Sequence, residues 1–128
     1  MHEPSEAADR LAKQIWESAL EVHRVLGAGF LESVYERALE VELSARGIEF
    51  ARQHPVALTY KGVPVGDARL DFLIGGLVVV ELKSVDLLHA IHHAQVLNYL
   101  RATSLELGLL INFNVPLLKD GFKRIVLT

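Results

Sequence analysis

The chain has 128 residues, enough for one ordinary domain spanning 1–128, and 51% of them are hydrophobic. No run approaches the ~20 consecutive apolar residues of a membrane-spanning helix, so no membrane partner is expected. A formal net charge of -3 argues against a general nucleic-acid coat, and the lack of cysteine excludes disulfides and thiolate metal sites.

From Ala7 to Leu26, the residues Leu11, Ile15, Ala19, Val22 and Leu26 recur at helical spacing, which predicts a helix with one buried face. Gly27 and Gly29 interrupt it, and a second helical run follows through Leu31, Val34, Tyr35, Ala38, Leu39 and Leu43, closed by Gly47. Ala51 to Tyr60 and Val63 to Ile74 are extended segments joined at Lys61-Gly62, and Gly75-Gly76 makes a second hairpin with Leu77–Leu82. The uninterrupted run Leu77-Val78-Val79-Val80 suits a central strand covered on both faces. Leu87 to Arg101 reads as a helix whose apolar residues spread around its circumference, so it is expected to be largely buried. Leu105–Phe113 and Phe122–Leu127 are the last two strands, connected through Pro116 and Gly121. The fold class is α/β, with no internal repeat. Residues 1–10 lack the basic start and apolar run of a secretory signal, and a reducing cytoplasm is the expected setting.

The chemistry concentrates where two strands end. Strand alternation puts Glu81 and Lys83 on one face and turns Leu82 to the other. A hairpin centred on Gly75-Gly76 brings Asp71 close to Val80 and Glu81, within a residue of register. Two neighbouring carboxylates buried together require a cation, and oxygen ligands suit Mg²⁺ or Mn²⁺. A lysine beside them suits phosphodiester hydrolysis, orienting the attacking water or stabilising charge on phosphorus. A structural Glu81–Lys83 salt bridge is the plainer alternative. Glu32, in the first turn of the second helix, is a third acid; Glu36 and Glu40 are read as a solvated stripe.

The pattern Gly29-x-x-Glu32-x-x-Tyr35 resembles the signature of the GxxExxY proteins, a bacterial and archaeal group of the PD-(D/E)XK nuclease superfamily. The resemblance runs from about Ile15 to Leu127 and takes in Asp71, Glu81-Leu82-Lys83 and Gln95-Val96-Leu97-Asn98-Tyr99-Leu100; Leu70 stands where the superfamily name has proline. It implies a restriction-endonuclease-like core, a central mixed sheet flanked by helices. It further implies Asp71 and Glu81 as metal ligands, Lys83 as the catalytic lysine, and Glu32 as the acid contributed by the first core helix. Gln95 and Tyr99, four apart and sharing a face with His92, match a glutamine-tyrosine pair that borders the active site in related nucleases. The expected site is therefore Glu32, Asp71, Glu81, Lys83 and Gln95 for catalysis, with Glu32, Asp71 and Glu81 holding metal, and Tyr35, His92 and Tyr99 against the substrate.

His89 and His93 have the spacing of a two-histidine zinc site, but no glutamate lies between them in the metalloprotease arrangement, and polar surface is the preferred reading. Lys61, Arg69, Arg101, Lys119, Lys123 and Arg124 are scattered, and only the fold decides whether they line a groove. The expected function is a metal-dependent nuclease acting on DNA or RNA, with a homodimer as an expectation. The alternatives are a catalytically silent binding or assembly module on the same fold, and a hydrolase of small phosphorylated molecules.

Overall fold

The computed structural model describes residues 3–127. Helix α1 (Glu6–Leu26) starts where Ser5 caps it, its hydroxyl accepting from the Ala8 amide, and buries Ala8, Ala12, Ile15, Ala19 and Val22 along one side. Helix α2 (Glu32–Ala45) follows after a short loop and buries Tyr35, Leu39 and Leu43. The strands are β1 (Phe50–Tyr60), β2 (Val63–Ile74), β3 (Val78–Lys83), β4 (Leu107–Asn112) and β5 (Phe122–Val126), with helix α3 (Ala90–Thr103) between β3 and β4. They form one sheet in chain order. Only β3 and β4 run parallel, and α3 supplies the crossover that a parallel pair needs. The mixed sheet flanked by helices is the α/β architecture expected from the sequence.

The helices divide between the two faces. α1 and α2 cover one, packing on Phe72, Ile74, Val78, Val80, Leu82, Leu107, Leu109 and Ile111. α3 covers the other through Val96 and Leu100, against Val79, Leu110 and Ile125. Strand β3 is consequently buried from Val78 to Leu82, which is why its run is unbroken by polar residues until Glu81. Gly108 lets α3 come close: a Cβ there would lie 2.6 Å from Val96 Cγ1.

Two expectations need correction. The third helix begins at Ala90 rather than Leu87, and it is not largely buried: only Val96 and Leu100 are fully enclosed, while Ile91 is 70% exposed. Its apolar residues spread around the circumference because one side packs on the sheet and the other borders an open groove.

The β1–β2 hairpin has its own geometry. Tyr60 pairs with Val63 across the Lys61-Gly62 turn, and a bulge follows at Leu58/Thr59. β2 pairs with β3 only from Phe72 to Ile74, so the outer part of the hairpin extends past the sheet. Side-chain alternation also reverses within it. Phe50 of β1 packs with the α1–α2 core, whereas Val56 and Leu58, an even number of residues away, pack with the α3 core. In β2, Phe72 and Ile74 lie on the first side and Leu70 on the second. The reversal falls between Arg52 and His54 on β1 and between Phe72 and Leu70 on β2, at the level of Gln53 and Asp71.

Candidate active site

Asp71 and Glu81 meet at the β2–β3 junction. Phe72 pairs with Val80, so the next position places Asp71 opposite Glu81, within the single residue of register expected. Each carboxylate reaches the other strand's backbone: Glu81 Oε1 accepts from the Asp71 amide at 3.2 Å, and Asp71 Oδ2 accepts from the Leu82 amide at 2.8 Å. Glu81 is only 4% exposed. Burial first, then the charge of Asp71 and a hydrogen bond between the two side chains, push the Glu81 carboxyl up to about 9. Without a cation the pair therefore holds a proton at neutral pH.

Lys83 stands two residues on, at the end of β3. Its carbonyl accepts from the Phe113 amide at 3.0 Å. The next segment is clamped by Asn112, whose side chain accepts from the Val85 and Asn114 amides and donates to the Val85 carbonyl. Ser84 Oγ donates to the Phe30 carbonyl at 2.5 Å, tying the end of β3 to the α1–α2 loop. The lysine thus projects from backbone held on two sides.

The Gly29-x-x-Glu32-x-x-Tyr35 pattern acquires a physical meaning here. Gly29 has φ +104°, a conformation that side-chain-bearing residues rarely adopt. Tyr35 is fully buried and stacks on Phe113 with ring centres 4.6 Å apart. Its hydroxyl donates to the Gly27 carbonyl at 2.5 Å and accepts from the Phe30 amide at 3.2 Å. The expected substrate contact by Tyr35 is corrected accordingly: the ring has no exposed surface, and its hydroxyl fastens the loop that delivers the start of α2.

Glu32, the first residue of α2, faces the strand-end carboxylates. Its carboxyl is raised by partial burial and by Asp71, with Lys83 acting in the opposite direction. Among the described residues, however, no three histidine, aspartate or glutamate side chains lie close enough to hold a metal ion together. Asp71 and Glu81 are the close pair, and Glu32 stands further off. This still suits a hard divalent cation, since Mg²⁺ is commonly held by one or two carboxylates and retains several waters.

Lys83, His92, Gln95, Asn98 and Tyr99 line a groove of about 600 Å³ between α3 and the hairpin residues Leu58, Asp67 and Ala68. It continues past Leu58 and Asn98 to Arg101. The Tyr99 phenol is raised by burial and by the charges of Glu81 and Asp71, with Gln95 acting in the opposite direction. His92 is lowered by burial, then by Lys83 and His89. His89 and His92 serve the first turn of α3: His92 Nδ1 accepts from the His89 amide, while the His89 side chain caps the backbone of His92. Of the scattered basic residues, Arg124 pairs with Asp9 and Arg69 donates to the Gln53 carbonyl; only Arg101 joins Lys83 along the groove.

Gln53, Glu36 and Asn112 escaped the sequence reading. Glu36 is not part of a solvated stripe: its side chain is 15% exposed, lies 3.5 Å from Arg52 and accepts from Gln53 at 2.9 Å. The same Gln53 amide reaches Asp71 at 3.5 Å. A polar residue inside the run Leu107–Phe113 was the available signal for Asn112; nothing in β1 distinguished Gln53.

A family model described as PD-(D/E)XK nuclease superfamily matches residues 9–125. The chain belongs to that superfamily. Its Asp71 lies within β2 where the pairing with β3 stops, opposite the Glu81-Leu82-Lys83 end of β3. Nuclease activity with divalent metals is general among PD-(D/E)XK enzymes. No curated protein and no solved structure gives a significant match to the chain. Among the described residues no helix is long and apolar enough to cross a membrane.

Proposed function

We propose that this protein is a Mg²⁺- or Mn²⁺-dependent nuclease that hydrolyses phosphodiester bonds at the Asp71–Glu81–Lys83 cluster. The observation that carries the reading is the opposed carboxylate pair, its Glu81 member buried at the end of an apolar strand, with a lysine on the same strand face. Asp71 and Glu81 would hold the metal, exchanging the shared proton for it. A bound divalent ion lowers the pKa of water and neutralises phosphate oxygens. The Lys83 ammonium stabilises negative charge that builds up on the phosphoryl oxygens, in a setting where burial strengthens it. Glu32 would add a third acid near the pair. Gln95, beside Tyr99 on the groove wall, presents its amide to the groove and orients a phosphate oxygen, with His92 at the rim.

The groove along α3 is the path for the nucleic acid. With Lys83 and Arg101 its cations and Asp67 opposing them, it suits a few phosphates rather than a long duplex footprint. Pairing of two copies would lengthen this track, and light scattering at high concentration tests it.

The deciding experiment incubates the protein, Asp71→Ala and Lys83→Ala with labelled single-stranded, duplex and branched DNA and RNA, in Mg²⁺, Mn²⁺ or EDTA. Metal-dependent cleavage lost in both variants is expected, and the panel identifies the substrate. No cleavage by folded, metal-loaded protein would overturn the enzyme reading in favour of a non-catalytic binding module or a small-molecule hydrolase.

A further inference from the structure

Gln53 combines three features that no other residue of the hairpin shares. Its backbone is left-handed, with φ +53°, inside a strand. Such a conformation is costly for a residue with a side chain and persists only where the surroundings enforce it. It sits at the level of Asp71, where the alternation of both strands reverses. Its amide nitrogen spans Glu36 Oε1 at 2.9 Å and Asp71 Oδ1 at 3.5 Å. Glu36 is itself fixed by Arg52, the preceding residue of β1, and Arg69 donates to the Gln53 carbonyl at 3.3 Å.

We infer that Gln53 is the positioning residue of the proposed metal site: anchored on Glu36, its side-chain amide sets the orientation of the Asp71 carboxylate while its left-handed backbone turns the hairpin toward α3. Asp71 Oδ2 is fixed by the Leu82 amide, and Oδ1 by Gln53, so both oxygens are aimed from opposite strands. Groups that orient a metal-binding carboxylate in this way commonly contribute ten- to a hundred-fold to metal affinity. The inference rests on the metal-dependent reading above.

Two substitutions separate backbone from side chain. Gln53→Gly accepts positive φ freely but removes the amide, and Gln53→Asn tolerates that backbone while leaving the amide too short to span both carboxylates. Mn²⁺ binding is measured by titration calorimetry on wild type, both variants, Glu36→Ala and the Gln53→Gly/Glu36→Ala double variant, alongside their melting temperatures. The expected result is Mn²⁺ affinity about tenfold weaker in Gln53→Gly and Gln53→Asn, no lower melting temperature in Gln53→Gly, and no further loss in the double variant. Wild-type affinity in Gln53→Gly would overturn the inference, as would affinity that falls only together with the melting temperature. Failure of the wild type to bind Mn²⁺ would instead remove the metal reading, and this inference with it.

Discussion

Strands β3 and β4 and the β1–β2 hairpin belong to one sheet, yet different physics specifies them. β3 and β4 are enclosed by helices on both faces, so their runs of valine, leucine and isoleucine have only one place to go. The outer hairpin is largely solvent-exposed, and within β1 it carries a left-handed residue, Gln53. The first region supplies a rigid floor carrying Glu81 and Lys83. The second supplies Asp71 and one wall of the groove. The candidate site thus joins an element fixed by burial to one that carries a left-handed residue.

Substitutions on the floor should have the largest effects. Lys83→Ala is expected to lower kcat by about 10²–10³-fold with little change in stability, as for loss of one group that stabilises transition-state charge; single-turnover cleavage measures it. Gly108→Val places a Cβ 2.6 Å from Val96 Cγ1 and should cost about 3 kcal/mol by overpacking, seen in denaturant unfolding. Above the floor, Tyr35→Phe in α2 leaves the Gly27 carbonyl and Phe30 amide without their side-chain partner, for an expected loss of about 1–2 kcal/mol.

pH probes the junction between the regions. Because the folded metal-free protein raises the Glu81 carboxyl from 4.5 to about 9, the folded state binds a proton that the unfolded chain releases. Its contribution to stability is fully present below about 4.5 and is lost as pH rises toward 9. Glu81→Gln should flatten that dependence in thermal melts and make the metal-free protein the more stable one in mildly alkaline buffer. The smallest effect belongs to the groove wall: Arg101→Ala should weaken nucleic-acid binding across sequences and reduce the salt slope by about 1, read from titrations at several salt concentrations.

The same division explains what the sequence disclosed. The run Leu77–Val80 ending in Glu81-Leu82-Lys83, and the Gly75-Gly76 turn opposing Asp71 to it, were legible because burial and alternation leave a clear pattern. The burial of α3 was overestimated because apolar residues such as Ile91 border the groove instead of entering the core. Tyr35 was legible as a motif residue but not in its role, since its partners are backbone atoms of a loop. Gln53 and Glu36 were invisible: strand propensity carries no mark of a positive φ, and Glu36 looks like any helix carboxylate until Arg52 and Gln53 fold against it.

The most direct test of the carboxylate pair as a divalent-metal site is calorimetric titration of Mn²⁺ into the protein near neutral pH, repeated in buffers of different ionisation enthalpy. With Glu81 protonated until a cation replaces its proton, binding should release close to one proton per metal, and Glu81→Gln should abolish that release. Tight binding without proton release, or no binding at all, would contradict the account.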